Sequence, residues 1–404
     1  MVEEPLPKAG EDHFIRSGES RGFPGLYIHV PFCLRKCAYC GFYSITDRSL
    51  IPAFRSALRR EMALYRGWAA SFDTLYIGGG TPSVLPEGDL EGLIADIRGA
   101  FTIATDAEIT VEANPADITE GLLAALGHSG VNRLNIGVQS FDDDTLALLG
   151  RRHTALQAIG AVQRARDTGF VNIGLDLMYG LPSSPAERET SPEAERPLAT
   201  WLATLNTAIG LNPEHLSCYQ LTLEEKTPLA KRCRRGELIL PDELCQANFF
   251  LRTAQILEES GYHHYEVSNF ARPGRESRHN RKYWDHVPYL GLGPAAHSFS
   301  GRERRWNRGS VDAYIGDLES GREPVESREI LSDEQLYLEA LFLGFRTRRG
   351  ICLETFKIRY GRDLLAEKRD MIESLSAEGI VEIRDGFLRP TRAGMAVADS
   401  LALI

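Results

Sequence analysis

Cys33, Cys37 and Cys40 stand in His29-Val-Pro-Phe-Cys-Leu-Arg-Lys-Cys-Ala-Tyr-Cys, a C-x3-C-x2-C spacing on one short loop. Cysteine thiolates are the ligands of iron–sulfur clusters, which usually take four of them. The fourth is missing locally, because Phe42 stands two residues after Cys40. Three thiolates on a four-iron cube leave one iron open, and an open position is what distinguishes a chemically active metal site from a closed structural one. The alternative is a zinc site completed by His29. A disulfide framework is not expected. Seven cysteines in 404 residues are sparse and odd in number, and residues 1–24 are polar, without the apolar run of a secretory signal. Cys218, Cys233, Cys245 and Cys352 are scattered singly and read as small buried hydrophobes.

More chemistry-bearing residues follow at regular intervals. Gly78-Gly79-Gly80-Thr81-Pro82 is a glycine run that lets backbone approach a ligand, offering N–H groups to a carboxylate or carbonyls to an ammonium. Glu112 lies in Val-Glu-Ala-Asn-Pro, Gln139 in Gly-Val-Gln-Ser-Phe, Arg151 twelve residues on, and Asp176 in Leu-Asp-Leu-Met-Tyr-Gly-Leu-Pro. A carboxylate on a core strand is costly unless paired or liganded. The series therefore reads as one shared pocket, with a structural ion-pair network such as Arg151 with Asp176 as the alternative.

The elements that must position these residues are short β-rich runs alternating with helical patterns. Strands are predicted at Leu26–Val30, Thr74–Ile77, Glu108–Glu112, Arg133–Val138, Asn172–Leu177 and His215–Leu221. Helices are predicted near 50–66, 87–100, 119–128, 143–150, 154–168 and 197–209. Six such repeats call for a parallel sheet with right-handed crossovers, and six rather than eight predict an incompletely closed, TIM-like (β/α)6 barrel. Its active end is where the strands end. The glycine run, Glu112, Gln139 and Asp176 all fall there.

The fold class is thus α/β, with 1–24 as an N-terminal extension, 25–240 as the core barrel and 241–325 as a His- and aromatic-rich extension. Pro182–Pro197 reads as a long exposed loop, and a helix is predicted at about 242–260. Residues 326–404 form a separate, mainly helical unit: helical patterns near 333–345, 353–358 and 363–379, a hairpin over Ile380–Pro390 turning at Asp385-Gly386, and a last helix over about 391–402. This resembles a winged helix. Residues 331–404 carry 11 Lys and Arg against 12 Asp and Glu, and the whole chain has a net charge of −10, so a nucleic-acid partner is not expected. The basic run Arg302–Arg308 reads as a solvated loop. No apolar stretch approaches the ~20 residues that span a bilayer. The expected compartment is a reducing cytoplasm, with any contact at the inner membrane peripheral.

Together, the cysteine loop after the first strand, Gly-Gly-Gly-Thr-Pro after the second and the ordered polar series resemble the radical S-adenosylmethionine (SAM) superfamily. The resemblance implies that the open iron is chelated by the amino and carboxylate groups of the methionine moiety, and that an electron from the cluster cleaves the sulfonium to a 5′-deoxyadenosyl radical. It implies that Gly79, Gly80 and Thr81 hold the methionine end and that Glu112 takes the ribose or the methionyl amine. Gln139, Arg151 and Asp176 then complete the site, with Tyr27 near it. Within the superfamily, Tyr-Ile-His-Val-Pro-Phe-Cys and Asp-Leu-Met-Tyr-Gly-Leu-Pro resemble the oxygen-independent coproporphyrinogen III oxidase group, from about residue 25 to the C-terminus. The oxidases have a fourth cysteine where Phe42 stands, and a longer N-terminal arm. Both departures, with His279-Asn280-Arg281-Lys282-Tyr283-Trp284, place the chain with the heme chaperones of that group. The implied cofactors are a [4Fe–4S] cluster, SAM and heme. The implied partners are an acceptor heme protein, including membrane-bound respiratory enzymes, and an electron donor.

Five of the ten histidines, His263, His264, His279, His286 and His297, fall between residues 263 and 297, interleaved with Tyr265, Tyr283, Trp284 and Tyr289. Heme needs an aromatic-walled slot and an axial His, Tyr, Cys or Met. The stretch has those residue types, and His279 is the foremost candidate for a heme contact. Three other functions share the core: oxidative decarboxylation of coproporphyrinogen III, a radical methyltransferase or heme-opening activity, and a purely structural cluster in an interaction scaffold.

Overall fold

The structure, a computed structural model, describes residues 23–185 and 195–401. Most of the expected N-terminal extension and the middle of the predicted Pro182–Pro197 loop lie outside the described residues.

Six parallel strands form the centre of the molecule in sequential order: β1 (Gly25–Val30), β2 (Phe72–Gly79), β3 (Ile103–Ala113), β4 (Arg133–Gln139), β5 (Ile173–Tyr179) and β6 (His215–Gln220). The crossovers carry α1 (Ile51–Leu64), α2 (Glu87–Ala100), α3 (Glu120–His128), α4 (Asp143–Leu149) with α5 (Ala155–Asp167), and α6 (Glu195–Gly210). Local sequence sets several boundaries. Thr154 and Gln157 close a capping box on α5, and Gly150 ends α4 in the left-handed conformation a side chain resists.

The period-two alternation of a strand sorts each side chain to one face. Leu26, Ile28, Leu75, Ile77, Ile109, Val111, Leu134, Ile136, Leu175, Leu177 and Leu216 all lie buried against the helices. The alternate positions, Tyr27, His29, Tyr76, Glu112, Asn135, Asp176, Ser217 and Tyr219, face the barrel interior. An apolar shell around a polar lumen is the result.

Beyond the six strands the sheet continues on both sides. Parallel to β1 runs β9 (Tyr289–Leu292), followed outward by β10 (His297–Phe299), β11 (Glu303–Asn307) and β12 (Val325–Ile330), the last two joined through α10 (Val311–Glu319). On the other side β8 (Asn269–Ala271) and β7 (His263–His264) extend β6. These six short strands have no counterpart among the elements predicted from sequence. Two to six residues are too few for a period to declare itself. The sheet thus runs to Ile330, past residue 326.

The start of the barrel is closed by α9 (Arg278–Trp284), which follows α7 (Pro228–Arg234) and α8 (Glu243–Glu259). The first N–H groups of α9 point at the buried Glu108 carboxylate, with Arg278 N at 3.2 Å and His279 N at 3.0 Å. A negative charge at a helix N-terminus meets both orphan donors and dipole. Lys282 Nζ reaches Asp73 at 2.6 Å from the same helix.

After β12, α11 (Asp333–Phe345) leads into a three-stranded antiparallel sheet of β13 (Ile351–Cys352), β15 (Phe387–Pro390) and β14 (Val381–Arg384). Short helices flank it around a core of its own that includes Tyr337, Leu341, Phe345, Phe356 and Leu388.

Candidate functional site

The cysteine loop follows β1 and is closed at its base by Cys33 N to Ile45 O (2.9 Å) and Ile45 N to Pro31 O (2.8 Å). Its middle is stitched to two helical segments, Ala38 N to Leu149 O at 3.0 Å and Leu229 N to Ala38 O at 2.9 Å. All three thiols are free and half-buried. Cys33 Sγ lies 3.3 Å from Thr81 Oγ1, and Arg151 donates from Nη1 to Cys37 Sγ at 3.4 Å. Burial, and then the neighbouring Cys37 and Cys33, push the Cys40 thiol up. Such a trio gains most from a cationic centre that takes all three as thiolates.

Zinc does not fit this arrangement. Among the described residues no three His, Cys, Asp or Glu side chains group so as to hold one metal ion. His29 is also engaged at both nitrogens: Nε2 donates to the Tyr43 carbonyl at 2.9 Å, which leaves Nδ1 to accept from Tyr27 Oη at 3.1 Å. Burial holds its pKa down at about 4, so the ring is neutral. A cubane makes the opposite demand, since each thiolate binds a different iron and the sulfurs need not converge. The thiols fit a cluster and not a single ion.

The loop forms one wall of a cavity of about 570 Å³ at the ends of the strands. Cys33, Cys37, Cys40, Gly79, Gly80, Thr81, Glu112, Gln139, Arg151 and Asp176 all line it. Gly79 has φ +106°, and a Cβ there would meet the His29 ring at 2.7 Å. At Gly80 a Cβ would meet Phe32 O, also at 2.7 Å. The glycines therefore let β2 and the loop touch. The N–H groups of this run are spent within the protein: Gly79 on Glu112 Oε2 (3.2 Å), Gly80 on Val30 O (2.8 Å), Thr81 on Phe32 O (2.8 Å). Of the two ways such a run holds a ligand, carbonyls to an ammonium is the one left open.

Two half-buried carboxyls face the lumen. Burial raises Glu112 to about 7, against Tyr76 Oη, which donates to Oε1 at 2.7 Å, and with Asp176 adding to the rise. Asp176 is raised by burial to about 6, moderated by Ser217 and by Asn135 Nδ2 at 2.7 Å from Oδ2. Its Oδ1 is buried without a hydrogen bond. Gln139 sits at φ 70°, a conformation non-glycine residues seldom adopt and one that clusters at ligand sites. Arg151 donates from Nη2 to Gly137 O, bridging β4 and the cluster loop. The Arg151–Asp176 pair weighed from sequence is absent among the ion pairs of the described residues. Each group keeps its own partners.

Tyr27 stands one layer deeper, below the cavity rather than on its wall. His279 is not brought to the site at all. It lies at the opposite end of the barrel, 1% exposed, with Nδ1 2.8 Å from Thr74 Oγ1 and Nε2 2.9 Å from Tyr283 Oη. Both nitrogens are occupied, so the ring is a strut between α9 and β2 and has no lone pair to spare for iron. The other histidines are dispersed as well. His286 pairs with Glu339 at 3.2 Å, His297 stacks on Trp306 with centroids 5.8 Å apart, and His263 and His264 lie on β7. Sequence reasoning missed Tyr39, Met178, Tyr219 and Glu224 on the cavity wall, and the supporting Tyr76, Asn135 and Ser217. The signal for the strand residues was present, because each occupies the inward parity set by Glu112 and Asp176.

A model of the radical SAM superfamily matches residues 27–191, and one of the HemN C-terminal domain matches residues 331–397. The chain is similar to the heme chaperone HemW of Bacillus subtilis (strain 168), 35% identical over 381 residues, covering 93% of this chain and 97% of the relative. It is also similar to the mitochondrial radical S-adenosyl methionine domain-containing protein 1 of Bos taurus, 33% identical, with 94% and 86% covered. Among solved structures, the coproporphyrinogen III oxidase HemN of Escherichia coli superposes with a TM-score of 0.79 at 23% identity, covering 94% of this chain and 89% of that one. That likeness carries the fold: the partial TIM-like barrel followed by a HemN-type C-terminal domain. The HemW relative is matched along nearly its whole length, and so the chain belongs to the HemW family of radical SAM proteins.

Proposed function

We propose that this protein is a heme chaperone: it binds heme, carries a [4Fe–4S] cluster on Cys33, Cys37 and Cys40 with SAM beside it, and passes heme to an acceptor protein of the respiratory chain. The supporting observation is the single cavity in which three free thiols meet the glycine run and two half-buried carboxyls, in a chain 35% identical to a heme chaperone over almost its full length. When bound, the cluster and SAM supply one-electron cleavage of a sulfonium. The protein's own residues do the holding. The carbonyls of Gly79 and Gly80 would hold the methionyl ammonium, and Thr81 and Arg151 flank the sulfurs of Cys33 and Cys37. Glu112 and Asp176, on the same wall, would present carboxyls to the ammonium or the ribose hydroxyls. Gln139 closes the wall beside Arg151.

Phe42, 72% exposed at the cavity mouth, stands where the oxidases carry a further cysteine, which speaks against coproporphyrinogen decarboxylation. Among the described residues no helix is long and apolar enough to cross a membrane. Delivery to a membrane-bound acceptor then proceeds from the cytoplasmic face, with an electron donor docking near the cluster loop. The test is anaerobic reconstitution, followed by heme titration at the Soret band with parallel assay of 5′-deoxyadenosine and of coproporphyrinogen. Heme binding without porphyrinogen turnover is the expected result. Stoichiometric decarboxylation would overturn the proposal.

A further inference from the structure

A second cavity, also about 570 Å³, lies at the other end of the barrel, in the seam between α8, β7, α9 and the turn that joins α11 to β13. Its position follows from its wall: Tyr265 bonds through its hydroxyl to Nε2 of His215, the first residue of β6, at 2.7 Å. Tyr262, His263, His264, Tyr265 and Trp284 give it aromatic sides, and Arg281, Arg348 and Arg349 stand exposed around it. Three carboxylates, Glu258, Glu276 and Asp285, share the wall, but Glu258 is already paired with Arg392. Of the three guanidinium groups, those of Arg281 and Arg348 stand on the rim as forks for an anion, on a chain of net charge −10. Trp284 Nε1 is buried without a hydrogen bond. The volume is that of a site for one organic ligand of drug size, ~300–1,000 Å³.

Resting on the heme-chaperone reading, we propose that this cleft is the heme site, with the exposed imidazole of His263 as axial ligand and Arg281 and Arg348 receiving the propionates. Aromatic walls suit a planar macrocycle, and guanidinium forks match carboxylates in a bidentate way. His263 is the ligand by comparison with its neighbour. His264 donates from Nε2 to Val267 O at 3.2 Å and stacks on Phe270 with centroids 4.1 Å apart, so its ring is fixed in place. His263 makes no side-chain hydrogen bond among those of the described residues and is exposed on the same strand. The seam also joins the barrel extension to the C-terminal unit, through Arg348 N to Tyr265 O at 3.0 Å. A small opening of that joint would expose bound heme to an acceptor.

The experiment is titration of heme into the full-length, cluster-reconstituted protein and its variants, read at the Soret band. In the unaltered chain heme binds; no binding at all would sink the chaperone reading itself. His263→Ala is expected to shift the Soret maximum and weaken binding at least about tenfold. The double variant R281E/R348E is expected to weaken it comparably without moving the maximum. Because all three residues are exposed, the far-ultraviolet circular dichroism should not change. A readout without mutation stands beside these: heme should protect His263 of the unaltered protein from acylation by diethyl pyrocarbonate, scored by mass spectrometry. Heme binding with His263 equally modified, or variants that bind as the parent does, would place heme elsewhere and overturn the site while leaving the chaperone reading intact.

Discussion

Two cavities of equal volume sit at opposite ends of one barrel, and they are built on opposite principles. At the strand ends the carboxyls are half-buried and their charge is suppressed: Glu112 rises to about 7 and Asp176 to about 6. Such groups wait for a ligand that restores their charge, which suits a cationic, tightly held cofactor. In the seam the cationic groups are exposed arginines around aromatic walls. That arrangement lets a large planar anion enter and leave. The lesson is that one end of the fold is shaped for retention and the other for exchange, as the proposed carrier with a resident cofactor would require.

The largest expected effect separates the two ends outright. Replacing Cys33, Cys37 and Cys40 together by Ala should abolish bound iron, measured by iron content and by the loss of the cluster's visible absorbance. Heme titration of the same variant should stay within about twofold of the parent. Loss of heme binding along with iron would show that both cavities depend on the cluster, and the comparison would break.

The next effect concerns the floor between them. His279→Ala removes two hydrogen bonds and leaves a hole under α9, so it should cost about 3 kcal/mol in denaturant unfolding. At temperatures where the variant stays folded, the Soret maximum of its heme complex should match the parent's, since its imidazole is a strut. A changed axial-ligand spectrum would restore the expectation drawn from sequence.

A third effect sharpens the account of the half-buried carboxyls. A cation is held by ionised Glu112, whose carboxyl takes up a proton as pH falls through about 7. SAM affinity should therefore fall with pH below that point, by up to about tenfold per unit for one coupled proton, with Asp176 contributing below about 6. Calorimetry in buffers of different ionisation enthalpy should register proton release on binding. In the ligand-free protein the sign is reversed. The folded state holds protons on Glu112, and on Glu61 (also raised to about 7), that the unfolded chain has lost, so stability should decline as pH rises toward 7. Glu112→Gln should flatten both profiles.

How much of this was legible in the sequence differs between the two ends for a physical reason. The six strands and their crossovers were readable because long apolar runs and helical periods report local order, and the glycine run, Glu112, Gln139 and Asp176 lie toward the strand ends, where local motifs mark them. Tyr27 was placed near the site, and it supports His29 from one layer below. The seam was not legible. Its wall joins residues 258–285, from two helices and a two-residue strand, to the turn at 347–349, and no local pattern links them. The histidine-rich stretch drew attention to part of this wall, but which imidazole is exposed depends on packing. His279 is consumed by Thr74 and Tyr283, which lie 205 and 4 residues away in the chain, and only the fold brings the first of them within reach.

The smallest expected effect bears on what separates this chain from the oxidases its fold resembles. Phe42 is 72% exposed, so Phe42→Cys removes almost no buried surface and should change stability by no more than about 0.5 kcal/mol. Placed two residues after Cys40 at the cavity mouth, the new thiol restores the fourth cysteine of the oxidase pattern. Iron content should remain that of the parent, because the three existing thiols already fit the cluster, and coproporphyrinogen should still not be decarboxylated. The reason lies in the comparison itself. A single thiol at the strand-end cavity leaves the aromatic, arginine-rimmed seam untouched, and with it the carrier function. If decarboxylation appeared in this variant, the seam would cease to mark a difference in function, and residue 42 alone would account for it.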